Sequence, residues 1–211
     1  MAQQYWHTTG KVLAAMIAAG VVVIGVVLAL VLRRGLSTRS EPTLIETAIA
    51  RGVRHLATPS SMHGARNPVP RSSGVLAEAR AHWADHCATC HANDGSGNTE
   101  IGRGLYPKTP DMRQPRTQEL TDGELFSIIR NGVRLTGMPA WGDAAGHDDD
   151  DNWKLVHLIR HLPKLTPEEL AEMQKLNPKT PDEWQEMQSE AAFLAGGNVA
   201  PRPAARSHHS H

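Results

Sequence analysis

Cys87-Ala88-Thr89-Cys90-His91 is a C-x-x-C-H motif. Two thiols three positions apart, with an imidazole directly after them, suit the attachment of a porphyrin. The thiols add to two vinyl groups on one porphyrin edge, and the adjacent histidine falls under the iron as its proximal ligand. A C-x-x-C pair alone could instead be a thioredoxin-like redox centre, but that requires a βαβ setting. The surrounding chain offers only helix and loop patterns. The motif therefore predicts one covalent haem c, joined to Cys87 and Cys90 and ligated by His91.

A second axial ligand is sought downstream. Gly137-Met138-Pro139-Ala140-Trp141 places a thioether 47 residues after His91. His/Met ligation raises the potential of haem iron, and Met138 is the predicted sixth ligand. A methionine is more often plain packing. Met112 and His147 are the other candidates, with Met112 expected against the porphyrin face. With both axial positions filled, no substrate reaches the metal and no catalytic residue is expected. His208, His209 and His211 end the chain and form a weak candidate for binding copper, zinc or nickel; a solvated, disordered tail is the plainer reading. Asp148 to Asp151 are expected to serve the positive end of the following helix.

These groups need elements to hold them. Val75 to His86 reads as a helix delivering the motif, with Leu76, Ala79 and Trp83 on one face. Thr121-Asp122-Gly123-Glu124 is a capping box, and Leu120 and Leu125 form a hydrophobic staple around it. That helix should end near Asn131-Gly132. Leu155, Leu158, Ile159 and Leu162 follow helical spacing in a further helix, Asn152 to Leu162, which Pro163 stops. The loops between are long and rich in Gly and Pro, which suits a domain whose interior a cofactor fills. Thr166 and Thr180 each open another helix, with Pro at the first turn and Glu three residues on. No strand pattern is present.

Residues 75–163 resemble a class I monohaem cytochrome c. In that family an N-terminal helix ends in C-x-x-C-H and crosses a C-terminal helix. Trp83 matches the family's aromatic residue at the crossing, and Trp153 and Leu158 are similar to its partners. Asp94-Gly95-Ser96-Gly97 resembles the turn after the motif, Leu105 to Met112 the L-x-P-x-x-P-D-L segment, and Gly137 to Trp141 the methionine loop. The resemblance implies that Trp141 lines the haem pocket. It also implies that a proline carbonyl, Pro110 first and Pro107 second, accepts the His91 imidazole N–H and fixes its tautomer. Ala79 stands where the family usually has glycine.

The rest of the 211 residues frames this domain. Val12 to Leu32 carries no charge and no proline over 21 residues. At about 1.5 Å per residue it spans roughly 32 Å, enough for a hydrocarbon core. A cleaved signal usually has a shorter apolar region and a small-residue cleavage site, so an uncleaved anchor is expected. Arg33, Arg34 and Arg39 outnumber Lys11 and by themselves would place the head in the cytoplasm. Haem attachment occurs outside, and the motif outweighs that bias. Equal numbers of basic and acidic residues, 22 of each, argue against a general nucleic-acid binder. The net charge is +5 over 33–74, −4 over 75–163 and −2 over 164–211.

The expected organisation is an all-α chain. It has an N-terminal tail (1–11), a transmembrane helix (12–32) and a basic stalk (33–74). The stalk contains an amphipathic helix from Thr43 to Ala57. A class I cytochrome c domain (75–163), extra C-terminal helices (164–197) and a disordered His-rich tail (198–211) follow. The expected role is one-electron transfer on the periplasmic face of a bacterial cytoplasmic membrane, with redox proteins or a membrane oxidoreductase complex as partners. A haem-based sensor is the less favoured alternative.

Overall fold

The computed structural model describes residues 2–35, 37–143 and 145–194. All the regular secondary structure among them is helical. The first helix, α1 (Ala2–Arg34), contains Gly10–Arg33, an apolar stretch long enough to cross a membrane at about 36 Å. None of that stretch is buried against the rest of the chain.

Helix α2 (Leu44–Ala57) starts at the Thr43 cap, where Thr43 and Glu46 form a capping box. Thr47 and Arg54 turn towards the head, whereas Leu44, Ile45, Ile49 and Val53 stay exposed. The helix is tied to the head by polar groups, through Glu41–Lys108 just before it and His55–Glu124 near its end. A short α3 (Ser60–His63) follows. It lies against α8, where Gly123 lets the Met62 carbonyl approach the backbone.

The core lies where α4 (Ser73–His82) crosses α9 (Asp149–His161). Ala79 and Trp83 meet Leu155, Leu158 and Ile159 there, all at most 2% exposed. Burying side chains of the larger kind contributes about 1.5–3 kcal/mol each. Ala79 is 1% exposed, so its methyl group is accommodated at the crossing. Helix α8 (Asp122–Asn131) completes the core. It carries the predicted Thr121–Glu124 box, and Phe126 stacks on Trp153 with ring centroids 4.1 Å apart.

Three local differences from the sequence reading have plain causes. The helix before the motif does not stop at His86. It widens into a π-turn (Trp83–Cys87), where the Ala88 N–H reaches back to the Trp83 carbonyl, and continues as α5 (Ala88–His91). Such a bulge is often found at functional sites. Helices α6 (Glu100–Gly104) and α7 (Pro115–Gln118) occupy stretches read as loop. Both are too short to show periodicity, and they depend on a Thr99 cap and a leading Pro115. Helix α9 starts at Asp149 rather than Asn152, with three aspartates in its first turn, where the helix dipole favours them.

A 3-10 turn (Leu162–Lys164) leads to α10 (Pro167–Leu176). Met173 of α10 is fully buried in the core, and Arg80 of α4 pairs with Glu169 at 3.0 Å and Glu172 at 3.1 Å. The packed unit thus runs past residue 163. Helix α11 (Pro181–Leu194) follows, with Trp184 and Phe193 exposed.

Candidate cofactor site

The helical run from α4 through α5 places the motif on one wall of a cavity of about 480 Å³. That lies within the range of small-molecule and cofactor sites. Cys87, Cys90 and His91 line it together. The Trp83 indole N–H donates to the Ala92 carbonyl at 2.9 Å, and Ala92 leaves the helix with φ of 60°. This bond pins the end of the motif to the core.

Met138 and Trp141 line the same cavity. The methionine loop is held by backbone bonds: Val133 N–H to the Met138 carbonyl at 3.0 Å, and Met138 N–H to Thr136 Oγ1 at 3.1 Å. Gly132 permits the approach. Its φ is 65°, and a Cβ there would meet the backbone of Met138, Pro139 and Ala140 at 2.6–2.8 Å. Trp141 is positioned by its N–H donating to the Ile129 carbonyl at 3.0 Å and by Asn152 donating to its own carbonyl at 3.2 Å. Of the other candidates for a sixth ligand, Met112 lines the cavity, whereas His147 is exposed and paired with Asp143 at 2.6 Å.

A third wall comes from Leu105, Pro107 and Pro110. This segment is clamped to α6 and to the turn after the motif: Thr109 N–H donates to the Gly102 carbonyl of α6, and Met112 N–H to the Gly95 carbonyl at 2.8 Å. Arg113 adds bonds to Asp111 and Asp94, both at 2.8 Å. The expected bond from the His91 imidazole to Pro110 is not formed, nor is one to Pro107; His91 Nδ1 is buried without a partner. The carbonyls of Thr109 and Pro110 pass close to Gly97, where φ is 70° and a Cβ would meet them at 2.5 and 3.2 Å.

The electrostatics favour ligation over thiol redox chemistry. Burial pushes the Cys87 thiol up to about 12, and the neighbouring Cys90 adds to the effect. A redox C-x-x-C pair needs the opposite shift. Burial pushes His91 down to about 4, which keeps its imidazole neutral at physiological pH, the form that binds metal. A haem fits this donor set: two free thiols, a neutral buried imidazole with an unsatisfied nitrogen, and a thioether, around an apolar space.

Some lining residues were not anticipated from sequence. Arg54 of α2 reaches the cavity from outside the cytochrome-like segment, and burial lowers its pKa. His86 and Lys108 also line it. An arginine in an amphipathic stalk helix gives no local signal of such a role. His208, His209 and His211 lie outside the described residues.

The crossed helices, the motif and the methionine loop together define a cytochrome c domain. Residues 74–159 match the family described as cytochrome c oxidase, cbb3-type, subunit III. No curated protein matches the chain. A cytochrome c domain implies covalently bound c-type haem and suits electron transfer.

Proposed function

We propose that this chain is a membrane-tethered one-electron carrier. One haem c is bound through Cys87 and Cys90, with His91 and Met138 as its axial ligands. The observation that carries this reading is the apolar cavity in which the motif and Met138 line one space. When bound, the haem supplies a reversible iron couple. The chain's residues do the rest. Burial holds the His91 imidazole neutral, Gly132 and Thr136 hold the methionine loop, and Trp141 lines the pocket. Arg54 lines the same cavity and would supply a positive charge to a bound haem.

In this reading, residues 12–32 anchor the chain, 33–74 tether the head, 75–163 carry the haem, and 164–197 are a C-terminal helical extension whose α10 packs on the head. The exposed apolar span supports the anchor, and the need to attach haem outside supports the periplasmic side. A second reading, favoured by the description of the matching family, is a haem-bearing subunit of a larger oxidase.

The test is the visible spectrum of the full chain, produced with c-type haem maturation, recorded oxidised, reduced, and reduced with carbon monoxide. A low-spin spectrum with a methionine–iron charge-transfer band, unmoved by carbon monoxide, is expected. Met138→Ala removes the band and lowers the potential, while Met112→Ala retains it. A high-spin spectrum that shifts promptly with carbon monoxide overturns the carrier. Native electrophoresis of solubilised membranes separates the two readings: the haem migrates alone, or within a larger complex that oxidises added reductant.

A further inference from the structure

Three side chains from three different elements converge away from the haem cavity: His55 of α2, His63 of α3 and Glu124 at the start of α8. One ligand atom of each lies within 4.8 Å of the others. His55 Nδ1 is 3.1 Å and His63 Nδ1 is 3.5 Å from the same oxygen, Glu124 Oε1. The two imidazole rings are tilted, with centroids 4.4 Å apart.

The other Glu124 oxygen is already used. Oε2 accepts the Thr121 N–H at 2.8 Å in the capping box, which leaves Oε1 aimed at the histidines. Glu124 is only 13% exposed and His63 31%, so two of the three are partly enclosed, while His55 at 65% leaves one side open to water. In a tetrahedral zinc site with bonds of about 2.0–2.1 Å, neighbouring ligand atoms stand roughly 3.3 Å apart. The two measured separations bracket that edge. Two imidazoles, one carboxylate and an open water position form a borderline-soft donor set that suits Zn²⁺.

We propose that His55, His63 and Glu124 form a zinc site that staples the stalk to the cytochrome head. Helix α3 already packs on α8 where the Met62 carbonyl approaches Gly123, whereas α2 meets α8 through the polar His55–Glu124 pair, and the ion joins all three elements at one point. The site is independent of the haem reading.

The experiment is a Zn²⁺ titration of the full-length holoprotein against a competing chelator dye, with thermal unfolding followed with and without the metal. It is done in a background where His208, His209 and His211 are alanine, so that the tail does not contribute. The expected result is one Zn²⁺ bound per chain and a Zn²⁺-dependent rise in the unfolding temperature. Loss of an outer partner costs about 10–100-fold in metal affinity, so His63→Ala and His55→Ala should each weaken binding by at least that factor. Glu124→Gln keeps an acceptor for the Thr121 N–H, and so the helix cap, yet should also weaken Zn²⁺. Unchanged Zn²⁺ affinity in all three variants, with haem spectra intact, overturns the site. A merely structural histidine–carboxylate contact overturns it too, and shows as variants that lose stability equally with and without Zn²⁺.

Discussion

His91 and Arg54 show opposite uses of burial in one cavity. Burial leaves the His91 imidazole neutral, which is what a ligand to iron requires. Arg54 keeps its charge although burial lowers its pKa, with the nearby Glu124 opposing the shift. A retained cation beside a haem disfavours the ferric state and raises the potential. In general, a unit charge roughly 10 Å from a redox centre, at an effective dielectric of about 20, is worth about 1.7 kcal/mol, or ~70 mV for one electron. Arg54→Ala is therefore expected to lower the midpoint potential by tens of mV, as read by a redox titration, without changing the axial-ligand bands. An unchanged potential would place the guanidinium outside the haem's field.

At the scale of elements, two loops shape the pocket, and each has one residue that holds it. Gly132 has φ of 65° and ψ of −169°, a backbone region that is essentially reserved for glycine. Gly132→Ala would strain it by about 1–3 kcal/mol and push into Met138–Ala140. The expected outcome is a lower melting temperature and a methionine–iron band that fades before global unfolding. The opposite loop is locked by Arg113. Its hydrogen bonds to Asp111 hold that carboxyl far below the usual carboxylate range. A carboxyl depressed in the folded state stabilises above its ordinary pKa, and that contribution is lost as pH falls towards the folded value. The native lock therefore persists through pH 4 and opens only in stronger acid. In Arg113→Gln, Asp111 keeps its bonds from Gln114 and the residue-113 N–H but moves back towards the ordinary range, and the loop should loosen at a higher pH than in the native protein. Acid titration of the haem Soret band of both proteins checks this.

At the scale of the whole molecule, the cytochrome head is not self-contained at the edges of its family segment. Met173 is fully buried although it lies beyond residue 159, where the family match ends. Arg80 draws α10 onto α4 through two carboxylates. Met173→Ala should cost about 2–5 kcal/mol, the range for emptying a buried site of this size. Denaturant melts followed by haem absorbance would measure it, and the axial-ligand bands should stay intact because α10 does not line the cavity. A cost near zero would mean that α10 rests on the core without completing it. On the other side, α2 leaves Leu44, Ile45, Ile49 and Val53 outward and meets the head through polar pairs, whereas Met62, Ala65 and Val69 after it pack against the core.

What the sequence alone determined is the chemistry encoded over a few residues. C-x-x-C-H, the methionine loop, the Thr121 and Thr166 caps and the uncharged apolar run each depend on neighbours within one or two turns. They are legible for that reason. The tertiary structure decided matters that depend on distant partners. It carried the helix through the motif as a π-turn, and it left His91 Nδ1 buried without a partner. It brought Arg54 to the cavity and buried Met173 in the core. It also set His55 beside Glu124 across 69 positions of sequence. No local pattern encodes such meetings, because each arises only when the crossed helices pack and fix which of their faces remain free.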